Sequence, residues 1–245
     1  MRLAVWPVAP ARALGSALAD LVTEIVEVEP HEARPALDGG RVDLALVPTL
    51  DVLRGHDGLS VVPGVALAGE RSPRRRLVVG SALDAIESVG FDPRDAQEAI
   101  LTQMMLREHY DAAPTFALAA PGTPLVEVLS RQSAALVGYA DDLPFETFAL
   151  DPGQEWTDLT LRPFPWGLLA GPVGTIPVKA AERIRATVQA TPPTEALVQD
   201  GVGVYQLTLD GYAMDGLDQF AEMLFATGTL GDIPAVPFVE IPDPA

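Results

Sequence analysis

The stretch Arg41–Val42–Asp43–Leu44–Ala45–Leu46–Val47–Pro48–Thr49 decides the fold. Leu44 to Val47 is apolar without a break, the Gly39–Gly40 turn precedes it, and Pro48 closes it. A short apolar run between turn signals reads as a fully buried strand of a parallel sheet, because helices cover both faces of such a sheet. In open α/β sheets, ligands sit beyond the carboxyl ends of the strands, which draws attention to Pro48 and Thr49.

Toward the N-terminus, Leu3–Trp6 reads as a first strand. Ala11–Leu21 follows as a helix with Leu14, Leu18 and Leu21 on one stripe. Glu24–Val28 alternates acidic and apolar residues, the pattern of an edge strand, and His31–Leu37 is a second helix stopped by Gly39–Gly40. A short helix over Leu50–Leu53 follows the central strand. This β-α-β-α-β order with short connections predicts a doubly wound sheet. Arg2, the apolar Leu3–Ala9 and Ala17–Leu18–Ala19 faintly imitate a secretory leader. Pro7, Pro10 and Arg12 interrupt it, so the stretch is read as strand and helix.

Composition narrows the function classes. With 48% hydrophobic and 20% charged residues, the 245-residue chain can bury one large core or two small ones. A net charge of −18 argues against nucleic acid and anionic membrane as partners. The absence of cysteine excludes disulfides, thiolate metal sites and a cysteine nucleophile. His31, His56 and His109 are dispersed, with no spacing that suits a metal, and no phosphate loop or nucleophile-elbow motif occurs. No metal site is expected, no run is long enough to span a bilayer, and the expected location is cytoplasmic.

The middle of the chain changes character. Leu59–Ala68 and Arg75–Gly80 are two apolar strands whose 69–74 connection reads as a hairpin. Ser88–Phe91 is another strand, and Asp92–Pro93 opens a long helix with Ile100, Leu101, Met104 and Met105 as its buried stripe. Thr115–Ala119, a helix over Leu125–Arg131 and Ala134–Val137 complete a second β/α unit. Phe164–Ala170 is a further strand, and Val178–Ala190 and Asp215–Thr227 are helices. Residues 234–245 form a proline-rich acidic tail, expected on the surface or against a neighbour. The second β/α unit is thus enclosed by the first, with 1–80 and 165–245 as a discontinuous N-terminal lobe and 81–164 inserted. That arrangement resembles the two-lobed α/β fold of type II periplasmic binding proteins, with two crossing strands as its hinge, and implies a small anion clamped in the cleft between the lobes.

A more specific resemblance is carried by several motifs in common order. They are Val42–Pro48, Leu59–Ala66, Arg76–Ser81, Phe91–Asp92–Pro93 before a helix, Gly153–Thr157, Pro163–Trp166 and Gly216–Leu217. Together they resemble the menaquinone-biosynthesis family of the futalosine route that contains chorismate dehydratase. The resemblance implies a carbon–oxygen lyase that eliminates water from chorismate, giving 3-[(1-carboxyvinyl)oxy]benzoate without metal or organic cofactor. It implies chorismate or a related small carboxylate as partner, and it leaves self-association open. The chain departs from the family where a carboxylate clamp is expected. The family's Tyr-Leu-Asn element is here Val8–Ala9–Pro10, and the chain has no asparagine. The Ser/Thr residues at the helix start are here Arg94–Asp95–Ala96–Gln97–Glu98, whose two carboxylates are expected to repel a dianion, and the later Gly-Asp is blurred into Gly138–Tyr139–Ala140. A divergent dehydratase and a catalytically silent paralogue that binds a small molecule or a partner subunit both remain open.

Six residues are singled out as candidate ligand contacts, each beside a plainer role. Thr49 can hydrogen-bond a ligand or cap the next helix. Ser81 can face a cleft or cap a short helix over Ala82–Glu87. Gln97, in the first turn of the long helix, is read chiefly as a surface residue. Arg12 sits at a helix start, where the dipole disfavours a cation, and needs a ligand or an acidic partner. Trp166 and Tyr139, like Trp6, can stack on a ring or belong to the core. The basic run Arg71, Arg74, Arg75 and Arg76 can serve an acidic ligand but is read chiefly as a solvated turn. No catalytic residue is named.

Overall fold

The computed structural model describes residues 1–80, 82–139, 143, 147–198 and 201–241. The chain opens with β1 (Arg2–Val5), α1 (Ala9–Ala17), β2 (Glu24–Glu27), α2 (Pro30–Asp38), β3 (Leu44–Pro48), α3 (Thr49–Arg54) and β4 (Leu59–Gly69). It continues through β5 (Arg75–Val79), β6 (Ser88–Phe91), α4 (Ala96–Tyr110), β7 (Thr115–Leu118), α5 (Leu125–Leu129), β8 (Ala134–Gly138), β9 (Phe148–Leu150) and α6 (Pro152–Thr160). It ends with β10 (Phe164–Pro172), α7 (Val178–Gln189), β11 (Thr194–Val198), β12 (Gly201–Thr208) and α8 (Gly211–Ala226). Two units result. One comprises Met1–Gly69, Phe164–Ala196 and Val204–Ala245, and the other Glu70–Pro163 and Leu197–Gly203.

The first unit is built on a seven-stranded sheet in the order β11-β12-β4-β10-β3-β1-β2. β1 runs parallel to both β2 and β3, and β10 lies antiparallel between β3 and β4. Every residue of β3 is buried, as the unbroken apolar run requires. Trp6 follows β1 and donates its indole N–H to the carbonyl of Leu46 at 2.7 Å, tying two parallel strands together. Gly167 of β10 is required there, because a Cβ would stand 2.8 Å from the Trp6 ring. β2 keeps its glutamates in solvent, as an edge strand should. The tail packs on its own chain: the Val61 N–H donates to Pro237 O at 2.8 Å, and the Val239 N–H to Val61 O at 2.9 Å.

The second unit has a five-stranded sheet in the order β7-β6-β8-β5-β9. β6 is parallel to β7 and β8, whereas β5 is antiparallel to β8 and β9. Alternation along β5 sends Leu77 and Val79 to one face with Leu106 of α4, and Val78 to the other with Leu125 and Val128 of α5. Helices therefore cover both faces. α4 follows a 3₁₀ turn over Pro93–Asp95, where the Asp92 side chain accepts from the Arg94 N–H. It ends at Asp111 in the left-handed region, φ +51°.

Three expectations change. The connection between β4 and β5 is not a hairpin, because β4 pairs in the first sheet and β5 in the second. Residues 70–80, expected in the first lobe, belong to the second unit, and the chain passes between units at 69/70, 163/164, 196/197 and 203/204. The third concerns the arginine run, taken up below with the charges it meets. Among the described residues, no helix is long and apolar enough to cross a membrane.

Candidate functional site

The second unit holds a cavity of about 240 Å³ at the carboxyl ends of β6 and β8. β6 leads through α4 to β7 on one side, while β8 lies on the other side of β6. Neighbouring strands whose connections diverge leave a crevice at their carboxyl ends. Phe91, Leu136 and Val137 give the cavity an apolar wall, and Arg75, Asp92, Arg94 and Asp95 give it charge. β6 approaches α5 closely at Gly90, where a Cβ would stand 2.3 Å from Val128 Cγ1. A second hollow of about 170 Å³ shares Gly90, Ala119, Ala120, Thr123 and Val128 with the first.

The arginine run meets this cavity. Arg74 and Arg76 are buried, which overturns the reading of the run as a solvated turn. For Arg74 the cause is charge pairing, whereas Arg76 lies against Tyr139, its Nη2 donating to the Tyr139 carbonyl at 3.5 Å with its guanidinium 6.0 Å from the ring centroid. Arg74 Nη2 donates to Asp95 Oδ1 at 2.5 Å and its Nε to Glu98 Oε1 at 3.0 Å. Arg75 Nε lies 2.8 Å from Asp95 Oδ2. Two guanidiniums thus face two carboxylates, and the acidic pair that departs from the family pattern carries no net charge once its arginines are counted. Burial, with Glu98 nearby, pushes the Asp95 carboxyl up despite both arginines. At the rim, Arg94 grips Asp92 through Nε, 2.9 Å from Oδ1 and 3.0 Å from Oδ2, and through Nη2, 2.5 Å from Oδ2, and holds its carboxyl below the usual range.

A second buried network lies in the same unit. Asp151 caps α6, its Oδ1 accepting from the Gly153 and Gln154 N–H groups and from the Ser72 N–H at 2.8 Å. Tyr139 sends its hydroxyl proton to Ser72 O at 2.8 Å, with Asp151 Oδ2 3.2 Å away. Burial raises the Asp151 carboxyl, with those hydrogen bonds opposing.

The candidates read from sequence are dispersed. Arg12 found an acidic partner: its Nε and Nη2 reach Glu27 at 2.7 and 2.9 Å, both side chains exposed. That hydrogen bond raises the guanidinium further and lowers Glu27. Thr49 is fully buried and neither caps α3 nor stands open, because its hydroxyl donates to the Pro165 carbonyl. Trp166 is also fully buried, edge-on to Phe164 with ring centroids 4.6 Å apart. Gln97 is buried rather than on the surface, and Tyr139 belongs to the Asp151 network. Ser81 lies outside the described residues. None of the other five lines the cavity. Of the charged residues that do line it, Arg75, Asp92, Arg94 and Asp95, none is among those six. Their signal was three arginines running straight into the apolar Leu77–Val79, with Asp95 and Glu98 one helical turn apart. Among the described residues, no acidic or histidine group could hold a metal.

Two α/β units, each with a sheet covered by helices, define the class: the fold is that of the periplasmic binding proteins. The alkanesulfonate-binding protein SsuA from Xanthomonas axonopodis pv. citri, solved with MOPS, is similar at a TM-score of 0.62 and 13% identity, over 98% of this chain and 97% of that one. The ligand-binding component of an ABC-type import system from Staphylococcus aureus gives 0.59 and 13%, over 98% and 96%. Protein AF1704 from Archaeoglobus fulgidus gives 0.59 and 14%, over 94% and 98%. No curated protein matches. A family model described as menaquinone biosynthesis matches residues 1–193, and the chain belongs to that family.

Proposed function

We propose that this protein binds a small carboxylate in the second unit's cavity and acts there as a chorismate dehydratase-like lyase of menaquinone biosynthesis, in the cytoplasm. The observation that carries the reading is the pairing of Asp95 and Glu98 with Arg74 and Arg75. Two unpaired carboxylates beside the cavity would repel a dianion by about 4 kcal/mol per close pair near 4 Å at an effective dielectric of 20. The arginines remove that objection, and Arg75 brings its guanidinium to the cavity wall. Membership of the family supports chorismate as the substrate. The reaction loses a ring proton and a hydroxyl as water while the ring aromatises. An apolar wall that holds the ring beside fixed charge suits that step.

One observation favours the second reading, a silent ligand-binding paralogue. Each titratable side chain lining the cavity is already paired, Arg75 with Asp95 and Arg94 with Asp92. Incubation of purified protein with chorismate, followed by chromatography and mass detection, decides between them. Loss of chorismate with a new benzoate ether supports the lyase. Saturable binding without turnover supports the paralogue, and neither binding nor turnover contradicts both.

A further inference from the structure

We propose that Arg75 selects for a carboxylate in this cavity by leaving Asp95 for the ligand, while Arg74 stays behind, bonded to both Asp95 and Glu98. The proposal rests on the reading above only in taking this cavity as the ligand site. Of the four clustered charges, Arg75 is the one free to move: its side chain is 25% exposed, against 5% for Arg74 and 2% for Asp95.

The two arginines hold Asp95 differently. Arg74 makes a short hydrogen bond to Oδ1 and a second bond to Glu98. Arg75 Nε approaches Oδ2, but its N–H is not aimed well enough to form a hydrogen bond. Among the described residues, Asp95 is the one carboxylate paired with Arg75. Its departure therefore removes a single contact from Asp95 and leaves the stronger one.

The backbone of Arg75 is meanwhile fixed. Its N–H donates to Ser72 Oγ at 3.0 Å, and it sits in register with Gly138 of β8. The movement is a side-chain rotation.

The competing groups in the cavity are committed. Arg94 forms a two-pronged pair with Asp92, and the Thr123 hydroxyl donates to Ala120 O at 2.7 Å. A guanidinium presents a planar fork that matches a carboxylate with two parallel hydrogen bonds. Phe91, Leu136 and Val137 beside it suit an unsaturated ring. The ligand class is thus a small carboxylate on an apolar ring.

Calorimetric titration of the intact protein with benzoate, its neutral counterpart benzamide, and chorismate tests the proposal. The parent is expected to prefer benzoate to benzamide about tenfold or more. Arg75→Gln is expected to weaken benzoate about ten- to hundred-fold, the range of charge-assisted hydrogen bonds, and to leave benzamide unchanged. Asp95→Asn, which releases Arg75, is expected to bind benzoate at least as tightly as the parent. A merely structural ion pair would weaken both ligands together. If Arg75→Gln fails to fold, Arg75→Lys keeps the charge, loses the fork and is expected to weaken benzoate at least about threefold. Benzoate affinity unchanged in the folded arginine variant overturns the proposal, as does a parent with no preference for benzoate. Arg75-dependent benzoate binding without any chorismate binding leaves the proposal standing and removes the chorismate reading.

Discussion

Arg74→Met tests whether the buried charge cluster is held together by its arginines. Removing one partner of a buried ion pair costs about 3–5 kcal/mol, because an uncompensated charge is left behind. Arg75 still faces Asp95 after the substitution, so the orphan is mainly Glu98 and the low end, about 3 kcal/mol, applies. For a chain of this size, about 2–4 °C is lost per kcal/mol, giving a fall in melting temperature of about 6–12 °C at pH 7. Adding Glu98→Gln removes the orphaned charge, leaves Arg75 and Asp95 as a one-to-one pair, and should recover about half of that loss. Thermal melts by circular dichroism at pH 7 read both variants against the parent. A single variant melting within 2 °C of the parent, roughly a 1 kcal/mol effect, would refute the pairing argument. So would a double variant no more stable than the single.

Asp151 accepts three backbone N–H groups through one oxygen, and an asparagine can keep all three while turning its amide toward Tyr139 Oη. Because the folded pKa lies above the unfolded one, the native state binds the proton more tightly, and stability falls as pH rises from about 4 to the raised value. Asp151→Asn should flatten that part of the melting profile and be at least as stable as the parent at pH 7, whereas Asp151→Ala should lose about 1–3 kcal/mol. A steeper profile in the asparagine variant would contradict the sign. Gly90→Ala places a methyl against Val128 and should cost about 1–3 kcal/mol by chemical denaturation, with benzoate affinity reduced as the cavity wall shifts. A neutral effect on both would mean that β6 and α5 are not closely packed. Thr49→Val removes the donor to Pro165 O and should cost about 1–3 kcal/mol with ligand affinity kept. Lost affinity at an unchanged melting temperature would instead make Thr49 a ligand contact.

The parallel strands and their helices were legible because their signals are local. Leu44–Val47 is apolar throughout, Glu24–Glu27 alternates, and Gly39–Gly40 punctuates. α6 was hidden because Pro152–Gly153 imitates a turn, although Asp151 is a cap that proline in the first helical turn confirms. β11 and β12 were hidden by Gly201 and Gly203 and by outward-facing Leu197, Val202 and Val204. The site was the least legible part. An arginine run is read as solvated unless its partners are known, and those of Arg74 lie 21 and 24 residues further on, in another element. Only the folded second unit brings the run and the acidic helix start to one cavity. The same distance explains why Asp95 and Glu98, read alone, counted against an acidic ligand, and why paired they do not.

A crystal structure with benzoate bound tests the central claim most directly. The account predicts a carboxylate within hydrogen-bond reach of the Arg75 guanidinium at the carboxyl ends of β6 and β8, with the Arg74–Asp95 bond intact. Benzoate seated elsewhere in a fully occupied crystal, with Arg75 still against Asp95, would contradict it.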